Sequence, residues 1–164
     1  RLDLARGFGA RYCMLFGAKT MGVEVSIDAA MLRQKVVGIS GEFGGSAEVT
    51  AEAIDLCRTG LGRLLGHLGM TPNIAKPVSI EPMLIDVRPD ACYVMAETEG
   101  LFEPLVQPGD HVAADAPVAR LHRLDAEPLL IRAHAGGVVM ARRSLARSAA
   151  GDWLFIIGRP VAAL

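Results

Sequence analysis

The sequence predicts a chain of two parts: an α/β segment over residues 1–70 and an all-β module over residues 78–164, joined by a linker at 71–77. Three observations predict it. Strand-like apolar runs alternate with helix-like periodic stretches through the first part, the pattern of a parallel α/β layer. Thr71-Pro-Asn-Ile-Ala-Lys-Pro77 then interrupts that pattern. Beyond it Pro and Gly recur every few residues, apolar runs are short, and no helical period survives.

The elements follow in order. Tyr12-Cys-Met-Leu-Phe16 is a continuous apolar run, the composition of a strand covered on both faces. Ser26 or Asp28 can cap a helix through Ala29-Ala-Met-Leu-Arg-Gln-Lys35, because either side chain can accept from a free backbone N–H of the first turn. Val36-Val-Gly-Ile-Ser40 reads as a second buried strand, and it ends in the glycine-dense turn Gly41-Glu-Phe-Gly-Gly45. Thr50 caps a second helix with Ala53, Ile54, Leu56, Cys57, Leu61, Leu64, Leu65 and Leu68 near a 3.6-residue period. Gly69 suits its C-terminal cap, and Pro72 bars continuation. Two strands do not make a free-standing doubly wound sheet. With a first residue, Arg1, that is not an initiator Met, the expectation is a portion of a longer domain.

Composition excludes several classes. Hydrophobic residues make up 51% and charged residues 21%, which excludes disorder. The formal net charge of −1 carries no basic excess, so a nucleic-acid groove is not expected. Runs such as Trp153-Leu-Phe-Ile-Ile157 are far shorter than the ~20 residues of a membrane span. The start lacks the basic and apolar regions of a signal peptide. Cys13, Cys57 and Cys92 are odd in number and widely spaced, which fits reduced thiols in a cytoplasmic protein rather than a disulfide framework.

The all-β part carries an internal repeat. Gly100 is followed by Asp115-Ala-Pro-Val-Ala-Arg-Leu121, and Gly137 by Gly151-Asp-Trp-Leu-Phe-Ile-Ile157. Each arm runs glycine, strand, turn, strand, and the first carries Val106-Gln-Pro-Gly-Asp-His-Val112. This resembles the flattened β-barrel, or barrel-sandwich, of biotinyl and lipoyl carrier domains. Such a carrier attaches its cofactor to a lysine between the arms. His122-Arg-Leu-Asp-Ala-Glu-Pro-Leu-Leu-Ile-Arg-Ala133 has none, and the three lysines, Lys19, Lys35 and Lys76, all precede the module. A swinging-arm function is excluded on that chemistry.

Glu42 is the strongest candidate for chemistry. It follows a strand-like run and stands among Gly41, Gly44 and Gly45, which let the backbone turn and leave room for approach. Ligands in parallel α/β folds bind at that edge of the sheet. A general acid or base and a solvated or helix-capping carboxylate both fit the residues. Gly41-x-x-Gly44-Gly45 lacks both phosphate-loop fingerprints.

Ser40-Gly-Glu42-Phe-Gly44-Gly45, followed by a helix ending Leu64-Leu-Gly-His-Leu-Gly69 and then a β-domain, resembles the succinylglutamate desuccinylase/aspartoacylase family. The order of parts and both segments match over most of the chain. The resemblance implies the C-terminal part of a carboxypeptidase-like α/β domain followed by a flattened β-barrel. It implies hydrolysis of the amide of a small N-acylated amino acid, with one zinc ion polarising the carbonyl and Glu42 as the general base. The family holds its zinc with a His-x-x-Glu pair and a distant His. No His-x-x-Glu occurs here, so the ligands are expected upstream of residue 1, and this chain alone is expected to bind no metal and to be inactive.

The histidines support that expectation. His122-Arg-Leu-Asp125 is the nearest local imitation, but on a strand those residues point to opposite faces. His67 suits a helix C-terminus, His111 a surface turn, and His134 opens the second arm before Gly136-Gly137. Arg142, Arg143 and Arg147 read as a solvated loop, although arginine is a natural partner for a substrate carboxylate. No residue is assigned to substrate binding, and homo-oligomerisation stays open. The alternative is a non-catalytic binding or assembly module whose barrel lacks the acceptor lysine.

Overall fold

The computed structural model describes residues 2–17, 25–45, 49–72, 81–88 and 90–162. The expected linker at 71–77 lies outside the described residues except for Thr71 and Pro72. The chain divides into two compact units, Arg1–Leu84 and Ile85–Leu164. No helix among the described residues is long and apolar enough to cross a membrane.

The first unit contains α1 (Leu2–Phe8), β1 (Tyr12–Leu15), α2 (Ile27–Arg33) and α3 (Ala51–His67). Ser26 is the N-cap of α2, its Oγ accepting from the Ala29 N–H at 3.2 Å. Thr50 caps α3 in the same way, accepting from Ala53 N–H at 3.1 Å. Each cap satisfies one of the donors that a helix leaves free in its first turn. α3 ends at the C-cap Leu68, and Gly69 takes the left-handed φ of +69° that glycine adopts at no cost. α1 packs on α3 through the Phe8 ring, which lies so close to Gly60 that a Cβ there would come 2.5 Å from Phe8 Cζ. Beside β1, the Met83 N–H donates to the Arg11 carbonyl at 2.9 Å.

One expected element does not form. Val36–Ser40 runs as extended chain without strand pairing, and Val36 and Val37 are 52% and 65% exposed. An apolar, β-prone run becomes a strand only where a neighbouring backbone supplies the ladder. Among the described residues none does so. α1 carries no sequence signal of its own, since seven residues are too few for a helical period.

In the second unit the residues from Ile85 onward form two sheets. One has the order β2 (Met83–Asp86), β10 (Trp153–Val161), β8 (Gly137–Arg142), β5 (His111–Val112), with β3 (Tyr93–Met95) also paired to β10. The other has the order β7 (Ala126–Arg132), β6 (Pro117–Arg123), β4 (Gly100–Pro104), β9 (Arg147–Ser148). The pairings of β3 and β8 with β10, of β5 with β8, and throughout the second sheet are antiparallel. Val118, Leu121, Ile131, Val139, Leu154, Phe155 and Ile157 form one core, and register shifts at Pro117/Ala119 of β6 and Trp153/Phe155 of β10 accompany the places where adjacent residues are both buried. Phe102 meets Phe155 edge-on within it, ring centres 5.4 Å apart.

The repeat is visible in the turns. In Gln107-Pro-Gly-Asp110 the Asp110 carboxylate accepts from the Gln107 N–H at 2.8 Å. In Ala149-Ala-Gly-Asp152 the Asp152 carboxylate accepts from the Ala149 N–H at 2.7 Å. The glycines take matching φ values, +95° at Gly109 and +87° at Gly151. Their N–H groups donate to Val139 O and Ala96 O, both at 2.8 Å. Two Gly-Asp turns thus close two arms with the same hydrogen bonds.

Two side chains of this unit make testable contributions. Ser148 is fully buried, yet its Oγ has no hydrogen-bond partner among the described residues. A buried hydroxyl without a partner costs rather than stabilises. Ser148→Ala should therefore leave the unfolding free energy unchanged or raise it by up to about 1 kcal/mol in urea titration, and a loss of about 2 kcal/mol would contradict this.

Asp86 accepts from the Arg88 guanidinium at 2.8 and 3.1 Å and from the Arg88 N–H at 3.0 Å. The side-chain bond first, and the backbone bond next, hold its carboxyl down from 3.8 to about 2. A folded-state value below the unfolded one stabilises the protein above the ordinary value and loses that stabilisation as pH falls through the depressed one. The urea midpoint should drop as pH falls from 3.8 towards about 2, and it should drop less steeply in Asp86→Asn. An equally steep drop in the variant would remove Asp86 from acid sensitivity.

Candidate active site

Glu42 lies in the extended stretch between α2 and α3, and the packing on either side fixes that stretch. Upstream, Ser40 Oγ donates to the Asp28 carboxylate in the first turn of α2 at 2.7 Å. Met31 of α2 covers Gly38 so closely that any side chain there would meet the thioether. Downstream, the Phe43 ring stacks on Phe8, centres 5.5 Å apart and planes at 29°. That ring also folds back over Gly41, where a Cβ would come 2.9 Å from Phe43 Cζ. Gly44 then turns the chain at a φ of +87°. The chain of contacts Gly60–Phe8–Phe43–Gly41 ties the backbone beside Glu42 to α1 and α3.

The Glu42 side chain itself is exposed and forms no hydrogen bond or ion pair with another described residue. The capping role open to it in the sequence is filled by Ser26 on α2 and Thr50 on α3. The structure therefore places Glu42 as an exposed carboxylate on an anchored extended segment, not at the end of a paired strand.

Other candidates have local partners. His67 Nε2 lies 2.8 Å from Asp3 Oδ2, joining the last turn of α3 to the first turn of α1, and its ring packs over Gly7. The hydrogen bond and charge of His67 hold the Asp3 carboxyl below the usual carboxylate range. Arg6 grips Glu81 with Nε and Nη2, the closest approach being 2.6 Å. His122 turns to Glu103, not to Asp125: its Nε2 lies 2.6 Å from Glu103 Oε2, and Arg120 donates to the other oxygen at 2.9 Å. The His122 hydrogen bond, with Arg120 adding to it, keeps the Glu103 carboxyl low. Sequence spacing could not find this pair, because Glu103 and His122 meet across two strands whose register puts His122 opposite Leu101. His111 is exposed on β5, and His134 is exposed before β8.

The arginines divide. Arg143 is engaged: it donates to Asp152 at 2.9 Å and to the Arg147 carbonyl at 3.0 Å. Arg147 is exposed and lines an open depression with Arg143, Leu145, Ala146, Ala149 and Asp152. The cysteines are free thiols; burial raises the pKa of Cys92, whose Sγ lies 3.5 Å from the Asp86 carbonyl. Among the described residues no group of three His, Cys, Asp or Glu is placed to hold a metal ion. These residues therefore do not by themselves fit a zinc site.

No protein-family model matches the chain. A search of curated proteins finds N-alpha-acetyl-L-2,4-diaminobutyric acid deacetylase of Halomonas elongata, 32% identical over 167 aligned residues, covering 99% of this chain and 48% of that protein. The apo structure of the ectoine utilization protein EutE (DoeB) from Ruegeria pomeroyi superposes with a TM-score of 0.85 at 26% identity, over 96% of this chain and 50% of that one. A succinylglutamate desuccinylase from Silicibacter sp. TM1040 superposes with a TM-score of 0.81 at 27% identity, over 98% of this chain and 48% of that one. The chain thus spans about half the length of the relatives it matches. The resemblance carried by Ser40–Gly45 and Leu64–Gly69 and these similarities agree: the chain is similar to the C-terminal portion of succinylglutamate desuccinylase/aspartoacylase family members.

Proposed function

We propose that this chain is part of a cytoplasmic amide hydrolase that removes the acyl group from a small N-acylated amino acid, with Glu42 as the general base. The observation that carries the reading is the exposed, unpaired carboxylate of Glu42 on a segment held by Ser40–Asp28 and Phe43–Phe8. The similarity to a diaminobutyric acid deacetylase across 99% of the chain supports it.

In this reading a water molecule gives a proton to Glu42 as its oxygen attacks the acyl carbonyl. Glu42 returns that proton to the amine as the C–N bond breaks, so the products are a carboxylic acid and a free amine. The anchors on both sides of Glu42 keep the carboxylate placed for both transfers. The resemblance also implies one zinc ion. The described residues do not by themselves supply a ligand set for one. The two sheets of the second unit are read as the flattened barrel of the family, shaped by its paired Gly-Asp turns.

The test is amine release from N-acetyl-diaminobutyrate and N-succinylated amino acids by the complete polypeptide that carries these residues. Release from one or more of these substrates is expected. No release from any of them, with the polypeptide folded and supplied with zinc, overturns the reading.

A further inference from the structure

His67 closes α3 within Leu64-Leu-Gly-His-Leu-Gly69, and the proton transfers at Glu42 do not use it. In the sequence it reads as a cation suited to a helix C-terminus. In the structure its ring reaches across to α1. Nε2 lies 2.8 Å from Asp3 Oδ2, 64 positions away, in the first turn of that helix. The ring also lies against the α1 backbone at Gly7, where a Cβ would come 3.1 Å from His67 Cγ.

α1 depends on such anchors. A helix of seven residues does not hold itself in water, so tertiary contacts keep it in place. Phe8 at its far end is buried against Gly60 of α3. Arg6 grips Glu81, which lies outside α3, so that pair does not set the spacing of the two helices. The position of α1 is passed on towards Glu42. Phe43, the residue after Glu42, stacks on the Phe8 ring, and it folds back over Gly41, the residue before Glu42. Both neighbours of Glu42 are thus held by one ring that rests on α1. An exposed ion pair adds little to overall stability. Its loss is felt where a carboxylate must stay aligned, since a misplacement of about 1 Å can cost roughly 10²-fold in rate.

We propose that His67 is a positioning residue for Glu42: by holding α1 on α3 through Asp3 and Gly7, it keeps Phe8 and Phe43 stacked and so fixes the segment that presents the carboxylate. This role rests on the deacylase reading of Glu42.

Amine release is measured with the complete polypeptide and its His67→Ala and His67→Gln variants. His67→Ala should lower kcat about tenfold and leave KM within about twofold, because no substrate contact is removed. Glutamine still offers an N–H to the Asp3 carboxylate, so His67→Gln should recover most of the rate. In a Phe43→Ala background the ring that carries the effect is gone, and His67→Ala should then cost less than about a further twofold. A 4-fluorophenylalanine placed at Phe43 follows the ring without turnover: its fluorine resonance should move in His67→Ala and hold in His67→Gln. Losses that multiply in the double variant overturn the proposal, as do a change confined to KM, a glutamine variant as slow as the alanine one, or an unmoved resonance. A resonance that moves as expected in a polypeptide that releases no amine leaves the clamp standing and counts against the deacylase reading alone.

Discussion

Gly137→Ala should lower the unfolding free energy by about 3 kcal/mol or more, the range of a severe steric insertion into a packed core. Gly137 opens β8, and a Cβ there would collide with the backbone carbonyl of Gly158, its carbon lying 2.7 Å away. Neither side can yield. Gly158 is itself packed against Val87, where a Cβ would come 2.7 Å from Cγ1, and against the side chain of Ile85. The register fixes the collision, since β10 pairs Gly158 with Val138 and β5 pairs Val112 with Gly137. A loss of that size is a large share of the stability of a small domain. Gly62→Ala is the opposite case: it sits inside α3 with open space around it, so alanine should gain up to about 1 kcal/mol through helix propensity. Urea titration of the two variants measures both signs, and equal midpoints would contradict the account.

What was legible in the sequence depended on how local the signal was. Ser26 and Thr50 were readable as caps because a cap is decided within three residues, and both accept from the third residue on. Gly69 was readable as a helix end for the same reason, and the two Gly-Asp turns emerge as a matched pair because their hydrogen bonds are also local. Val36–Ser40 was misread as a buried strand because its composition reports how apolar it is, not whether a neighbouring backbone pairs with it. The Glu103–His122 pair was invisible because its members are 19 positions apart and meet through strand register. At the candidate site the residues singled out Glu42 among its glycines. They could not reveal that Phe43 folds back over Gly41 or that Phe8 bridges to Gly60, since those contacts come from three separate parts of the chain.

Glu42→Gln is the second large effect. Glutamine matches glutamate in shape but cannot take a proton from water, so it removes the proposed base while keeping the side chain's length. Its effect should fall on kcat, with substrate binding little changed, because no binding role is assigned to the carboxylate. The expected loss is about 10²–10⁴-fold, the usual share of a positioned acid–base group. Phe43→Ala supplies a contrast. It removes the ring that stacks on Phe8 and covers Gly41, so it should loosen the placement of Glu42 and lower turnover less than the loss of the carboxylate.

The most direct measurement is a single-turnover rate on the N-acylated amino acid, made with the complete polypeptide and its Glu42→Gln variant, with substrate affinity measured on the same samples. The account predicts unchanged affinity and a chemical step slower by about 10²–10⁴-fold in the variant. Unchanged affinity with an undiminished chemical step would contradict it and remove Glu42 from the reaction.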